Sequence, residues 1–477
     1  MPLAQRGAFM GGTLVSVQVP EELVGLIQAV VGVLSRFRVS SNRDFAAGER
    51  ELGERMAELE CGAVGQMLGA LDEEAPRVEA HGKSWRRLNM DTEQTYFALR
   101  GPVRLKRSLY REERVRNGVT MVPVELRAGI VDGRYTPAAA RGLAHLNQAM
   151  PSREADEVAC SLGVLPFSRS TQFRGAVAVG DQWATLESES SAEILEQLTL
   201  PDDAFSVALS VDRASMPMAE ERPPTAADAK RGIKKPITVA WRMAYTACWT
   251  LCDRQGKAIA CTRYAHVPDG GALAVETVLR RDLEVLLRRR PGLKVVTLAD
   301  GAPEMQQILD RVVAGHTVAA RLVDFWHLAE HVAEALKSLE RPVGPDLSRM
   351  KGYLLEYDSG IDAVLVELRD LKRSCTAPPP KPLLEAITYI ENQRPRLEYA
   401  TPWHSGLPIG SGHVEATGKT IIEVRMKRSG ARWRVEGAQA LLSLRALAKS
   451  SPARWDEAMK RVLAAYKAEV TPLAPRT

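Results

Sequence analysis

Residues 205–212, Phe-Ser-Val-Ala-Leu-Ser-Val-Asp, set Phe205, Val207, Leu209 and Val211 against Ser206, Ala208, Ser210 and Asp212. An apolar/polar period of two is what a strand with one covered face requires, so a strand ending on an acid is expected here. Residues 294–300, Lys-Val-Val-Thr-Leu-Ala-Asp, are almost continuously apolar, as a strand covered on both faces is, and they also stop on an acid, Asp300. A third acid, Glu415, follows a Gly-Ser-Gly turn (Gly410 to Gly412) and opens the proline-free stretch 414–428, which reads as helix. The acids stand 88 residues (212 to 300) and 115 residues (300 to 415) apart, so only a fold can bring them together. Carboxylates placed at strand ends suit Mg²⁺, a hard cation that takes oxygen ligands; two such ions about 4 Å apart clamp the attacking and leaving oxygens of a phosphoryl transfer. The chain holds 59 Asp and Glu, so three strand-end acids mean little without their neighbours.

Those neighbours repeat strand and helix in a definite order. Residues 237–251 and 257–267 flank Asp253-Arg254-Gln255-Gly256, the signal of an antiparallel hairpin with a four-residue turn. An amphipathic helix follows, with Val275, Leu279, Leu283 and Leu286 on one face. Then come the strand into Asp300, a helix from Pro303, a strand (317–324) ending on Asp324, and a helix through Leu339. Three antiparallel strands running on into strand-helix-strand crossovers predict a mixed α/β sheet with helices on its faces. A helical block at 345–400, interrupted by Pro378-Pro379-Pro380, separates this sheet from Glu415. Residues 218–236, rich in proline, read as a long loop.

The N-terminal part reads differently. Residues 1–60 predict helix, broken at Ser40-Ser41-Asn42; 94–131 predict a few strands, including 120–129; and 136–165 predict two helices, the second opened by Ser152. The expected divisions are an N-terminal α+β accessory region (1–135), a helical DNA-binding or linking region (136–204), the first part of the core (205–344), a helical insertion (345–400), the closing part of the core (401–450) and a tail (451–477).

At 477 residues with 45% hydrophobic content the chain can bury several cores. It has no run of 18 apolar residues and no signal pattern, which predicts a soluble, cytoplasmic protein with no membrane partner. Six cysteines in this length make no disulfide framework, and Cys61 and Cys160, the two before residue 200, lack ligand spacing, so zinc is not expected. Net charge is only +5, but residues 401–477 hold 13 Lys or Arg against 6 Asp or Glu, a net of +7 around Glu415. Lys419, Arg425, Lys427, Arg428, Arg432 and Arg434 crowd into this region with Trp433, and a one-signed cluster of this kind suits phosphate contact.

The order of strands and acids resembles the ribonuclease-H-like core of DDE transposases and integrases. Residues 406–419 (Gly-Leu-Pro-Ile-Gly-Ser-Gly-His-Val-Glu-Ala-Thr-Gly-Lys), with 425–433 and 437–447, resemble the closing block of the ISKra family of bacterial insertion-sequence transposases. Residues 298–305 and 323–332 resemble its second acidic block, and the resemblance covers roughly residues 205–450. It implies a catalytic and metal-binding triad of Asp212, Asp300 and Glu415, with Mg²⁺ as cofactor and Mn²⁺ able to substitute. It implies cleavage at the terminal inverted repeats of an element and strand transfer into target DNA, by a homodimer or higher assembly working at the nucleoid. Asp324-Phe325-Trp326-His327 matches an Asp-x-x-His of some mobile-element families and makes Asp324 and His327 candidates for orienting the site.

The residues alone leave plainer alternatives open. Asp212, Asp300 and Asp324 are also strand-end caps, Glu415 also pairs i,i+4 with Lys419, and His327 also suits a packed position under a sheet. Cys248, Cys252 and Cys261 read as buried thiols, and His404 and His413 as packing residues or DNA contacts. A relative that only binds DNA, and a nuclease of the same core without strand transfer, are the rival functions. A phosphate-binding loop is excluded: five residues separate Gly412 from Gly418 where that motif needs four, and no strand precedes it.

Overall fold

A computed structural model describes residues 18–39 and 44–474. The helix expected over residues 1–17 and the break at Ser40-Ser41-Asn42 lie outside the described residues. The chain divides into two compact units: one runs up to Ala139 and includes Val158–Phe167 and the residues from Ala468 on; the other comprises Ala140–Glu157 and Ser168–Lys467.

In the first unit, α1 (Glu21–Val39) packs on α2 (Phe45–Gly69), whose start is fixed by Asp44 accepting from the Ala47 amide at 3.1 Å. Strands β1 (Arg77–Ala80), β2 (Lys83–Ala98), β3 (Gly101–Glu112) and β4 (Thr120–Met121) form an antiparallel meander, and Thr471–Pro472 adds to the outer edge of β1. The strand expected over 120–129 stops at Met121. Pro123 has no N–H to give a ladder but suits the first turn of a helix, so α3 (Pro123–Ala128) forms instead and ends at Gly129, whose φ is 70°. The chain passes between units within α4 (Pro137–Ala149) and α5 (Ser152–Ser161).

The second unit begins with the long helix α6 (Arg169–Gln197), capped by Ser168. Its sheet contains β5 (Ser206–Glu221), β6 (Ile237–Cys252), β7 (Ala258–His266), β8 (Lys294–Ala299) and β9 (Val318–Val323) in the spatial order β7-β6-β5-β8-β9. β6 runs antiparallel to both β5 and β7, and β8 and β9 run parallel to β5, a mixed sheet as expected. The reading of 218–236 as loop needs correction. β5 pairs with β6 through Glu221↔Ile237, and the connection holds a short helix, α7 (Ala226–Lys230), closed by a capping box between Thr225 and Asp228.

Helices α8 (Gly271–Arg289) and α9 (Pro303–Val312) cover the face carrying Val207, Leu209, Val211, Ala247 and Trp249. The opposite face, with Ala208, Val296, Leu298 and Leu322, is covered by α10 (Phe325–Ser338), α11 (Val343–Glu356), α12 (Gly360–Arg373) and α13 (Lys381–Gln393). Leu407 and Ile409, beyond α14 (Ala400–His404), complete that second core. The helix expected over 414–428 is broken into α15 (Gly412–Thr417), a π-helical turn (Gly418–Glu423) and α16 (Val424–Met426). Helices α17 (Val435–Ala448) and α18 (Pro452–Ala464) close the unit, with α17 so near α6 that a Cβ on Gly180 would lie 2.5 Å from the Ala440 carbonyl oxygen. No helix among the described residues is long and apolar enough to cross a membrane.

Candidate carboxylate site

The register of β5 against β8 places the first two acids. Ser206 pairs with Lys294 and Ser210 with Leu298, a constant offset of 88 residues. Two residues past the last of these pairs stand Asp212, still within β5, and Asp300, just past the end of β8, and the charge of Asp300 reaches Asp212. Alternation along each strand puts both on the face of Ala208, Ser210 and Leu298 rather than on that of Val207 and Leu209.

Local hydrogen bonds fix both. Asp300 Oδ1 accepts from the Ala302 amide at 2.9 Å, closing a turn in which Gly301 has φ 93°. The Tyr389 hydroxyl donates to the Asp300 carbonyl at 2.7 Å and the Gln393 side chain to the Gly301 carbonyl at 2.8 Å, so α13 holds this turn from outside. Asp212 Oδ1 accepts from the Arg213 amide at 2.6 Å. A Cβ built on Gly418 would lie 3.8 Å from Asp212 Oδ2, which measures how closely the π-helical backbone passes this carboxylate. Burial pushes the Asp212 pKa above the usual carboxylate value; the Arg213 amide opposes this, the charges of Asp300 and Glu415 add to the rise, and His327 opposes it.

Glu415 stands in the first turn of α15, 63% exposed, in an ion pair with Lys419 one turn on. The helix that carries it is held by Asp324. Asp324 caps α10, its Oδ1 accepting from the amides of Trp326 at 2.6 Å and His327 at 2.9 Å. Its Oδ2 accepts from the Ser411 amide and from the Ser411 hydroxyl at 2.5 Å. One buried carboxylate thus joins the end of β9 to the turn that launches α15. His327 is not beneath the sheet: its side chain is 39% exposed, 3.8 Å from Glu330, with its ring edge-on to His331.

The six basic residues separate. Arg425 needs correction as a DNA contact: it is 3% exposed, donates to the Asn147 carbonyl at 3.0 Å and lies 5.1 Å over the Trp433 ring. Burial, with the nearby charge of Arg445, lowers its pKa to about 10. Arg445 donates to the Thr420 carbonyl inside the π-helical turn at 2.7 Å and to the Gln148 carbonyl at 2.6 Å. Two buried guanidinium groups therefore satisfy the carbonyls that end α4 and one freed by the π turn. Lys419 is engaged with Glu415, Lys427 with Glu423 at 2.9 Å and Arg428 with Glu154 at 3.4 Å. Arg432 and Arg434 are exposed and make no ion pair with a described residue.

A cavity of about 390 Å³ lies beside the acids, between Ser210, Thr250 and Cys252 of the sheet and the 407–413 segment, with Trp326 and Trp403 at its rim. His413 opens onto it. All six cysteines are free; hydrogen bonding to Cys261 and burial raise the Cys248 pKa, and the same Cys248 bond lowers that of Cys261.

Sequence reasoning did not find Ser411, Tyr389 or Arg445. Ser411 stood inside the Gly-Ser-Gly turn already singled out, whereas Tyr389 and Arg445 have no local pattern that marks them. Among the described residues no group of three or more His, Cys, Asp or Glu lies close enough to hold a metal ion as it stands, and Glu415, turned to Lys419, is the acid of the three that is engaged elsewhere. The donor set is nonetheless all carboxylate oxygen, the kind Mg²⁺ and Mn²⁺ prefer. Burial raises the Asp212 pKa most, and the charges of Asp300 and Glu415, which add to that rise, are what a cation would offset. No family model matches the chain, and no curated protein matches it.

Proposed function

We propose that this chain is a metal-dependent DNA transposase with a ribonuclease-H-like core, the activity that its resemblance to the ISKra family implies. The carrying observation is the 88-residue register of β5 against β8, which runs through Ser210 and Leu298 toward Asp212 within β5 and Asp300 just past the end of β8. The strand order β7-β6-β5-β8-β9, with the first three strands antiparallel and the last two parallel to β5, agrees with that core.

Divalent cations bound here would lower the pKa of an attacking hydroxyl and offset charge on the leaving oxygen. Asp212 would hold them from within β5 and Asp300 from the end of β8, and Glu415 would join by exchanging its Lys419 partner. Asp324 keeps α15 in register through Ser411, and the Tyr389 hydroxyl fixes the Asp300 turn. Water would attack a phosphodiester at an element end and expel a 3′-hydroxyl. That hydroxyl would then attack target DNA, exchanging one phosphodiester for another, so no side-chain nucleophile is needed. The partners are terminal inverted repeats and target DNA, and the working form a homodimer or larger assembly on DNA at the bacterial nucleoid.

The test incubates the protein with the DNA flanking its own coding region, a labelled target and Mg²⁺ or Mn²⁺. Labelled 3′-ends joined to the target are expected. Cleavage without joining would make the chain a nuclease, and binding without cleavage a DNA-binding relative.

A further inference from the structure

The central hairpin does not stop where the sheet stops. β8 leaves β5 after Ser210 and β7 leaves β6 at Tyr245, yet β5 and β6 stay paired to Glu221↔Ile237. Residues 213–221 and 237–244 therefore form an arm about 30 Å long beyond the sheet. One face of the arm buries Met216 and Met218. Trp433 bridges to Met218, its amide donating to the Pro217 carbonyl at 3.1 Å and its carbonyl accepting from the Ala219 amide at 2.7 Å.

The other face buries Pro217 of β5 but is bare along β6. Val239, Trp241 and Met243 of β6 are 43%, 60% and 43% exposed. Trp433 points to the covered face, so strand alternation turns its neighbours Arg432 and Arg434 toward the bare one. Residues 213–244 hold seven Lys or Arg against three Asp or Glu. Two of those acids are consumed within the arm: Asp228 by Arg222 at 2.7 Å and Glu220 by Arg242 at 2.6 Å. Lys230, Arg231, Lys234 and Lys235 at the tip are exposed and make no ion pair with a described residue. Four uncompensated cations on the same arm as an exposed apolar strip that carries Trp241, with Arg432 and Arg434 also unpaired, are complementary to a polyanion that has flat apolar faces.

We propose that this arm is a DNA-binding surface distinct from the carboxylate site. The cations at its tip take backbone phosphates, and the Trp241 strip takes the bases of an unpaired strand. The inference rests on DNA being the partner, as in the reading above, but not on the chemistry at Asp212.

Anisotropy of a labelled random duplex and a labelled single strand, across a salt series, tests it on the full chain. Replacing Lys230, Arg231, Lys234 and Lys235 together with Gln should flatten the slope of log affinity against log salt by roughly 3.6 for the duplex and roughly 2.8 for the single strand, and weaken both DNAs on the order of 100-fold. Replacing the three lysines with Arg should keep the wild-type slope, which separates charge from folding. Trp241→Ala should weaken the single strand about 10-fold and leave the duplex near wild type. An unchanged slope in the quadruple Gln variant, or polyglutamate competing as well as DNA, would overturn the proposal. If the wild type and Asp212→Asn bind DNA but the quadruple variant binds equally well, the arm inference alone falls. If the wild type binds no DNA, the arm and the transposase reading fall together.

Discussion

The two faces of the central sheet are built from different parts of the chain. The face of Val207, Leu209 and Val211 is covered by α8, which crosses from β7 to β8, and by α9, which joins the neighbouring strands β8 and β9. Its covering helices lie within one stretch of the chain, and it buries Asp282 against the Trp249 side chain. The face of Ser210, Asp212 and Asp300 is partly covered by segments that return from far downstream: the 407–413 turn, α15 and the π-helical turn. Its closure depends on single polar links, Asp324 to Ser411 and Arg445 to Thr420. Both faces bury a large apolar core, and the second also positions a few polar atoms at its edge.

That contrast is sharpest at the acids. Asp212→Asn, Asp300→Asn and Glu415→Gln should each lower cleavage and strand transfer by a factor on the order of 10³ or more while DNA binding persists, since an electrostatic role at a phosphoryl centre leaves no substitute. Full activity in any one removes that residue from the triad.

The opposite outcome is expected across the sheet. Leu283 is fully buried on α8, and Leu283→Ala should cost about 3 kcal/mol in urea unfolding while the folded fraction keeps its turnover. A large loss of turnover per folded molecule would erase the distinction between the faces.

Asp324→Ala joins the two kinds of effect. It removes the cap of α10 and the acceptor of Ser411, a loss of about 2–4 kcal/mol by unfolding measurements. It should also slow chemistry on the order of 10–100-fold, because the turn that launches α15 loosens. Arg425→Met should destabilise the protein without changing the salt slope of DNA binding, since Arg425 grips the end of α4 and faces no solvent. A flattened slope would return it to the DNA surface.

The smallest effect is on stability against pH. The folded-state pKa of Asp212 is raised, chiefly by burial, so the group favours the folded state when protonated, below about pH 3.9, and that contribution is lost as pH rises through the folded value. With chelator present, Asp212→Asn should therefore melt a few degrees above the wild type at neutral pH, with the gap closing toward pH 4. A lower melting temperature at neutral pH would place Asp212 among stabilising acids.

The local face was legible in the sequence because each of its elements carries its own period: two in 205–212, helical spacing from Val275 to Leu286. The alternating run also predicted that Asp212 would sit at a sheet position, but not that β5 would continue past it. The pairing of 213–221 depends on β6 and on Trp433 more than 200 residues away. The basic segment misled at Arg425 because charge pattern cannot say which cation a distant helix end will bury. The π turn was invisible for the same reason: Arg445, which satisfies its Thr420 carbonyl, lies 25 residues on.

Mn²⁺ binding followed by electron paramagnetic resonance tests the central claim most directly, because it asks whether Asp212, Asp300 and Glu415 act as one cation site without requiring the right DNA. The account predicts saturable binding by the wild type, affinity at least about 10-fold weaker in Asp212→Asn and in Asp300→Asn, and a loss also in Glu415→Gln. Wild-type Mn²⁺ affinity in all three variants would contradict it.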